Sequence, residues 1–167
     1  RAVLFVADLV PLLPAAMQIH TQHQRRFETN RFVYPVISRR AGGLSIGVNL
    51  NPDKVCNFDC IYCQVDRTSQ AETRFVELPQ LLAELEHALQ DAVSGRLFQH
   101  PKFTGLTAEL QRLNDIAFSG DGEPTSHRNF DEVVEACAAI KRRLGLDDVK
   151  LVLITNASLF HREHVRR

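Results

Sequence analysis

The 167-residue sequence lacks an excess of charge of either sign. Lys and Arg together number 20, as do Asp and Glu, so the formal net charge is zero. A strongly basic nucleic-acid-binding module is therefore not expected, although a local basic patch remains compatible with this balance. Hydrophobic residues make up 44% and charged residues 24%, as in ordinary globular domains, which excludes a disordered tail, a collagen-like fibre and a coiled-coil rod.

The sequence also lacks an apolar run long enough to cross a membrane. Residues 2–17 are mostly apolar and follow Arg1, as in a secretory signal peptide, but Asp8, Pro11 and Pro14 interrupt them. We therefore prefer a helix or coil that packs on a neighbouring part of the protein. We expect a cytoplasmic protein with no membrane partner.

Cysteine is scarce, and its distribution argues against a disulfide framework. Cys56, Cys60 and Cys63 fall within eight residues, and the fourth cysteine, Cys137, could pair with only one of them. The dense cysteine pattern of small secreted domains is absent. Clustered thiols of this kind are more often metal ligands. Cys137 instead lies on the apolar stripe of a predicted helix, which indicates a buried core residue.

Strand and helix patterns alternate in the second part of the sequence. Alternation with period two predicts strands, recurrence at helical spacing predicts helices, and strands that alternate with helices imply a parallel sheet with right-handed crossovers. The sequence thus predicts an α/β fold with about three strand–helix units. The last predicted strand is densely apolar, which is typical of a strand covered on both faces. In order, the predicted elements are a strand at 44–50, a helix at 79–95, a strand at 116–118, a helix at 130–145, a strand at 149–155 and the start of a helix at 161–167.

Residues 1–41 are predicted to form an N-terminal lead-in, irregular or helical, ahead of the strand–helix units in 42–167. The lead-in carries a run of arginines against a single acid, Glu28. Such runs are usually solvated faces, and contact with phosphate or RNA is the alternative. The arginines of this basic patch are Arg25, Arg26, Arg31, Arg39 and Arg40.

An unusual segment follows each of the three predicted strands. These are the cysteine loop (residues 51–63), the glycine turn (Ser119–Thr125) and Asn156. Parallel strands end at one edge of their sheet, and ligands of α/β proteins bind at that edge. We therefore expect the three segments to meet.

The cysteine loop has the spacing C-x3-C-x2-C, which suits an iron–sulfur cluster. Thiolates usually ligate such clusters one per iron, so three cysteines leave one iron of a four-iron cluster open to another ligand. A structural zinc site is the alternative, but it would need a fourth ligand and there is no second cysteine pair. His20 and His23, or His161 and His164, could supply that ligand only by lying close.

These residues carry a family resemblance. The cysteine spacing, with Tyr62 directly before the last cysteine, resembles the cluster motif of the radical S-adenosylmethionine (SAM) superfamily. Gly120–Pro124 is similar to the Gly-Gly-Glu-Pro-like motif of that superfamily, with Asp121 where a second glycine is common. The longer stretches Asn49–Cys56 and Ser119–Thr125 resemble the branch of wyosine-type tRNA-modifying enzymes. The resemblance extends from about residue 25 to the end and implies part of a truncated TIM-like (β/α) barrel. A complete barrel needs about 250 residues.

The resemblance also implies cofactors and a reaction. The three loop cysteines would hold a [4Fe–4S] cluster whose open iron is chelated by the amino and carboxylate groups of SAM. Reduction of the cluster, by a partner such as flavodoxin or ferredoxin, would cleave SAM to methionine and a 5′-deoxyadenosyl radical that abstracts hydrogen from a substrate. Modification of tRNA is the leading hypothesis, and a peptide or a small molecule is the alternative substrate. We expect the 167 residues alone to bind a cluster and to turn over poorly.

The resemblance further implies roles for individual residues, without identifying a catalytic side chain. Tyr62 would lie at the adenine, and Asn156 would contact SAM or substrate. Two simpler interpretations stay open: Asn156 could be a turn-forming residue, and Glu123 could be a carboxylate satisfied by backbone N–H groups. At the level of function, an iron–sulfur electron carrier or redox sensor without SAM cleavage is the alternative. The turn residues that would bind the amino group of SAM are Gly120, Asp121, Gly122 and Glu123.

Overall fold

A computed structural model describes Arg25 and residues 27–63, 65–71 and 73–166. The signal-peptide-like segment at 2–17 and Arg26 lie outside these described residues. The described chain folds as a mixed α/β unit with one four-stranded sheet. In order, its elements are β1 (Val33–Ser38), β2 (Gly43–Val48), α1 (Leu78–Ser94), β3 (Leu113–Phe118), α2 (Phe130–Arg143), β4 (Lys150–Leu153) and α3 (Glu163–Arg166), with short 3-10 helices at 96–99, 101–103 and 124–126.

Three of the four strands form the predicted parallel sheet. β2 pairs with β3 and β3 pairs with β4, both in parallel. Val48, Phe118 and Leu153 are in register, so the three strands end at the same edge. Along the chain, a helix follows each of these three parallel strands, which gives the three expected strand–helix units. The described strands form an open sheet in the order β1-β2-β3-β4.

β1 is a strand that the sequence analysis missed, and it runs antiparallel to its neighbour. It lies within the predicted lead-in and pairs with β2, with Val33 opposite Val48. The expectation that all strands are parallel is therefore wrong at this edge. Pro35 lies inside β1, and proline normally argues against a strand because it cannot donate to the sheet. An edge strand tolerates it, since one side of the strand has no neighbour.

A buried carboxylate fastens the start of β1 to α1. Glu84 of α1 is 8% exposed and accepts hydrogen bonds from the backbone N–H groups of Arg31, Phe32 and Val33 at 3.0, 2.8 and 3.1 Å. The amide of Gln80 donates a further bond of 2.8 Å to Glu84. Burial of a carboxylate is tolerated when donors surround it in this way. The end of the lead-in is thereby part of the same packed unit.

The hydrophobic core lies between the sheet and the two long helices. As predicted, Pro79 lies in the first turn of α1, and Gly95 ends the helix in the left-handed conformation with φ at +79°. Cys137 is fully buried, as expected for a core thiol. The other fully or nearly fully buried core residues include Leu44, Ile46, Val48, Leu81, Leu85, Leu89, Ile116, Phe118, Val133 and Ile140.

The opposite face of β2 explains its small residues. A side chain on Gly47 would overlap the ring of Tyr34, which lies across it from β1. The Tyr34 hydroxyl donates a 2.7 Å hydrogen bond to the carbonyl oxygen of Ser119 at the start of the glycine turn. A neighbouring side chain therefore approaches β2 closely at Gly47, and that neighbour is a tyrosine ring.

β4 is shorter and more exposed than its sequence indicated. It spans Lys150–Leu153 instead of 149–155, and none of its residues is buried. The dense apolar run predicted a strand covered on both faces. In the described chain β4 is instead the edge strand, paired with β3 alone.

None of the helices in the described residues is long and apolar enough to span a membrane.

Candidate functional site

The three segments that follow the parallel strands meet at the carboxyl edge of the sheet, as expected. Asn57 of the cysteine loop is hydrogen-bonded to Asn156 and Ser158 after β4, at 3.1 and 2.8 Å. The glycine turn lies against the same loop, because a side chain on Gly122 would overlap the carbonyl oxygen of Val55. Residues far apart in sequence thus form one site.

The three motif cysteines lie in the cysteine loop as free thiols. Cys56 and Cys60 are half-buried and Cys63 is exposed. The N–H of Cys63 donates a 2.9 Å hydrogen bond to the carbonyl oxygen of Cys60, which curls the end of the motif. Within the described ranges, no three His, Cys, Asp or Glu side chains converge tightly enough for a metal ion. The loop offers three sulfur donors, and a bound cluster would have to draw them together.

Arg67 is a site residue that the sequence analysis missed. Its guanidinium donates to the carbonyl oxygen of Lys54 and, at 3.6 Å, to the sulfur of Cys63, so it links the two ends of the cysteine loop. The pKa of the Cys63 thiol is lowered, first by a backbone hydrogen bond from Val65 and then by Arg67. A lowered pKa favours the thiolate, the form that ligates metals. No motif marks Arg67, because its role depends on how the loop folds back.

Apolar side chains of the cysteine loop project away from the protein. Ile61 is fully exposed and Tyr62 is 81% exposed. A hydrogen bond with the Cys60 thiol raises the pKa of the Tyr62 hydroxyl above its usual range. Val55 and Phe58 are also at least half exposed. Apolar side chains grouped on a surface are typical of a binding site. Because Tyr62 is exposed, a ligand beside the cysteines could reach it.

Asp121 anchors the glycine turn to the end of β2. Asn49 accepts the backbone N–H of Asp121 at 3.0 Å and donates its own amide to the Asp121 carboxylate at 2.8 Å. Arg25 pairs with the same carboxylate at 3.5 Å. Asp121, which replaces the second glycine of the Gly-Gly pattern, therefore fixes the turn to Asn49.

The two glycines of the turn are required for close approach. A side chain on Gly120 would overlap the amide oxygen of Asn49, and one on Gly122 would lie 2.8 Å from the side-chain carbon atoms of Asn51 as well as on the Val55 carbonyl. Neither glycine has a positive φ. What the turn needs here is the absence of a side chain, so that its backbone can lie directly on the neighbouring loop.

Glu123 is a buried hub that ties the glycine turn to the end of β4. The residue is 3% exposed. Its carboxylate accepts hydrogen bonds from the N–H of Thr125 at 3.2 Å and the N–H of Asn156 at 2.8 Å, and also from the hydroxyls of Thr125 and Thr155. The simpler interpretation of Glu123, a carboxylate satisfied by backbone N–H groups, thus describes its side chain.

One buried acceptor at the site has no partner. The Asn51 side chain donates to the hydroxyl of Ser126 at 3.1 Å, but its oxygen makes no hydrogen bond with any described residue. Asn51 is 6% exposed and lies against Gly122. Unpaired buried acceptors are rare in folded proteins. The site therefore fits a cluster, held by the three thiols, together with a ligand whose N–H groups can donate to the Asn51 oxygen and to the backbone of the glycine turn.

The arginines of the basic patch do not lie together. Arg25 is at the carboxyl edge of the sheet, paired with Asp121. Arg40 lies near the opposite end of β3, where it binds the buried carboxylate of Asp115 at 2.8 Å. The described arginines are therefore divided between the two ends of the sheet, and two of them are neutralised by carboxylates.

Comparison with known proteins identifies the family. Residues 50–167 match the sequence profile of the Radical SAM superfamily. The chain belongs to this superfamily. Radical SAM enzymes typically use a [4Fe–4S] cluster and SAM. The matched range includes the cysteine loop, the glycine turn and Asn156.

Several curated proteins are similar to this radical SAM chain. It is 32% identical over 139 residues to a UPF0026 protein of Methanocaldococcus jannaschii, covering 79% of this chain and 35% of that one. It is 31% identical over 134 residues to a UPF0026 protein of Helicobacter pylori, covering 80% and 37%. It is also 26% identical over 144 residues to a Brachyspira hyodysenteriae protein named GTPase Obg, covering 84% and 18%.

The chain thus spans less than half the length of these curated relatives. No solved structure matches it.

Proposed function

We propose that this chain forms the cofactor-binding part of an enzyme that cleaves SAM reductively. The observation that carries the proposal is the meeting of the cysteine loop, the glycine turn and the Asn156 segment at one edge of the sheet, within the matched superfamily range. Cys56, Cys60 and Cys63 would ligate three irons of a [4Fe–4S] cluster. When bound, the cluster supplies the electron that splits SAM into methionine and a 5′-deoxyadenosyl radical.

The remaining site residues would bind and orient SAM. Backbone oxygens of Gly120, Asp121, Gly122 and Glu123 would accept hydrogen bonds from the amino group of SAM, on a turn that its two glycines allow to lie directly on residues 49–55. The unpaired amide oxygen of Asn51 would accept a hydrogen bond from the amino group of SAM. Tyr62 would contact the adenine, largely through its backbone. Arg67 would donate a hydrogen bond to the Cys63 sulfur and, after the backbone N–H of Val65, favour its thiolate form.

For the substrate, tRNA is the proposal that the sequence favours, because Asn49–Cys56 and Ser119–Thr125 resemble the wyosine-type branch. The zero net charge and the division of the arginines between two ends of the sheet mean that RNA contacts would lie largely on other parts of the protein. Binding of tRNA should weaken with rising salt, since phosphate contacts release counterions. A reductant such as flavodoxin or ferredoxin, in a reducing cytoplasm, would donate the electron.

Anaerobic reconstitution tests the cluster assignment. We expect iron and sulfide near four of each per chain in the parent protein. We expect almost no iron in Cys60→Ala and unchanged iron in Cys137→Ala, since Cys137 is a buried core thiol. Equal loss of iron in the two variants, or zinc without iron and sulfide, would contradict the assignment.

Titration with SAM separates the enzyme from an electron carrier. In the full-length protein we expect SAM to change the electron paramagnetic resonance (EPR) spectrum of the reduced cluster, and dithionite to yield 5′-deoxyadenosine. A loaded cluster that shows neither response would favour the electron carrier or redox sensor.

A further inference from the structure

Three side-chain hydrogen bonds form a closed ring between the cysteine loop and the residues after β4. The amide of Asn57 donates to the hydroxyl of Ser158 at 2.8 Å, and that hydroxyl donates to the amide oxygen of Asn156 at 2.6 Å. Asn156 completes the ring by donating its amide to the oxygen of Asn57 at 3.1 Å. Each side chain is the donor to the next, and hydrogen bonds arranged in this way polarise one another favourably.

One side of this ring is fixed to the sheet. The N–H of Asn156 donates to the buried Glu123 carboxylate at 2.8 Å, and the N–H of Ser158 donates to the oxygen of Asn156 at 3.0 Å. Glu123 in turn belongs to the glycine turn. The ring therefore connects Asn57 to the ends of both β3 and β4.

The backbone between Asn156 and Ser158 is strained in a way that suits the ring. Ala157 adopts the left-handed conformation with φ at +61°. For a residue with a side chain this conformation is unfavourable, and it persists only where surrounding contacts hold it. The sharp turn at Ala157 allows the side chains of both Asn156 and Ser158 to form hydrogen bonds with Asn57.

Other side-chain contacts of the cysteine loop behave differently. Lys54 donates to Ser69 at 2.6 Å, and Arg67 contacts Lys54 and Cys63. These contacts link the segment 54–69 to itself, and Asn51 at the start of the loop donates to Ser126, directly after the glycine turn. The ring instead joins residues 99 and 101 positions apart.

We infer that Asn57 is a positioning residue, which holds the first motif cysteine at a fixed place relative to the glycine turn. This inference rests on the proposed function. Asn57 directly follows Cys56 in the chain, so fixing its side chain restricts where the Cys56 sulfur can lie. The ring also explains why the Asn156 side chain is engaged: its oxygen accepts twice from Ser158, and one of its N–H groups is donated to Asn57. Asn156 then acts through the cysteine loop.

The first test needs no cofactor. Hydrogen–deuterium exchange of residues 53–63 in the cofactor-free full-length protein should be at least about fivefold faster in Asn57→Ala and in Ser158→Ala, which break the ring at different members. Asp59→Ala is the matched control, because Asp59 is exposed in the same loop and makes no hydrogen bond or ion pair with any described residue. Its exchange should equal that of the parent protein.

The second test uses the reconstituted protein. Asn57→Ala should retain iron but bind SAM at least about tenfold more weakly, as measured by the SAM-induced EPR change, since small misplacements in a site have large effects. Asn57→Asp keeps the acceptor for Asn156 and loses the donor to Ser158, so its SAM affinity should be intermediate. If Asn57 served only the general stability of the fold, its variants would lower the unfolding midpoint. SAM affinity would then not decrease in the order parent, Asn57→Asp, Asn57→Ala.

The outcomes distinguish the two proposals. Failure of the parent protein to take up a cluster or SAM would overturn the proposed function, and the exchange experiment would still test the ring. If the parent protein binds both, and Asn57→Ala matches Asp59→Ala in exchange and in SAM affinity, the positioning role of Asn57 is wrong. An exchange rate in Ser158→Ala equal to that of the parent protein would overturn it as well.

Discussion

The backbone N–H of Asn156 donates a 2.8 Å hydrogen bond to the carboxylate of Glu123, so the segment after β4 is fixed to the glycine turn after β3. Glu123 also accepts from the hydroxyl of Thr155 and from Thr125. Burial of a carboxylate is unfavourable unless donors surround it. One buried side chain therefore joins the glycine turn to the end of β4.

Glu123→Gln should destabilise the protein although it preserves shape. In the variant, the amide NH2 group would face the N–H and O–H donors that now bind the Glu123 carboxylate. At least one buried polar group would then lack an acceptor, which costs about 1–3 kcal/mol. We expect the urea unfolding midpoint to fall accordingly. Glu109→Gln is the control, because Glu109 is exposed and should leave the midpoint unchanged. A midpoint in Glu123→Gln equal to that of the control would contradict the role of Glu123 as a hub.

Gly122→Ala should impair the site itself. Its methyl group would overlap the carbonyl oxygen of Val55, a backbone atom that can move only with the cysteine loop. We expect a loss of stability of about 1–3 kcal/mol and less iron bound per folded molecule. Gly145→Ala is a comparison far from the site: its φ of +66° makes alanine unfavourable by about 1–2 kcal/mol, with no effect on iron uptake. Similar iron content in the two variants would count against the packing of the loop on the turn.

Cys137 should be the unreactive thiol of the chain. Burial raises the pKa of the Cys137 thiol to about 12, and the residue is fully buried. At pH 8 its thiolate is therefore scarce as well as inaccessible. Iodoacetamide should modify Cys56, Cys60 and Cys63 in the native cofactor-free protein at least about a hundredfold faster than Cys137, as measured by peptide mass spectrometry. Labelling of Cys137 at a comparable rate would refute its assignment to the core.

His127 should make the protein less stable in mild acid. Burial, aided by the nearby His164, lowers the pKa of His127 below its ordinary value of 6.5. As the pH falls below 6.5, the unfolded chain binds a proton at this position before the folded chain does, so stability is lost in that window. The urea midpoint should drop less between pH 7.5 and pH 5.5 in His127→Gln than in the parent protein. His87→Gln, at a side chain that is 66% exposed, should retain the parent's pH dependence.

Local patterns predicted much of the fold. Apolar residues at period two marked β2, those at helical spacing marked both long helices, and a short apolar run marked the second half of β3. Pro79 and Gly95 marked the ends of α1. These signals are readable because they arise within one element and its solvent boundary. β1 was missed because Pro35 and the neighbouring arginines argue against a strand, and its stability comes from pairing with β2 and from Glu84 of α1. The extent and exposure of β4 likewise depend on what lies beside it.

The sequence alone determined that three thiols, a glycine turn and an asparagine would follow three parallel strands, because the direction of a strand fixes the edge at which it ends. Only the tertiary structure decided how they are held together. The ring of Asn57, Asn156 and Ser158 and the hub at Glu123 join residues that are 33 to 101 positions apart. Hydrogen bonds over such separations leave no periodic signal in the chain, since each side chain there is an ordinary turn or loop residue until folding brings its partner within reach.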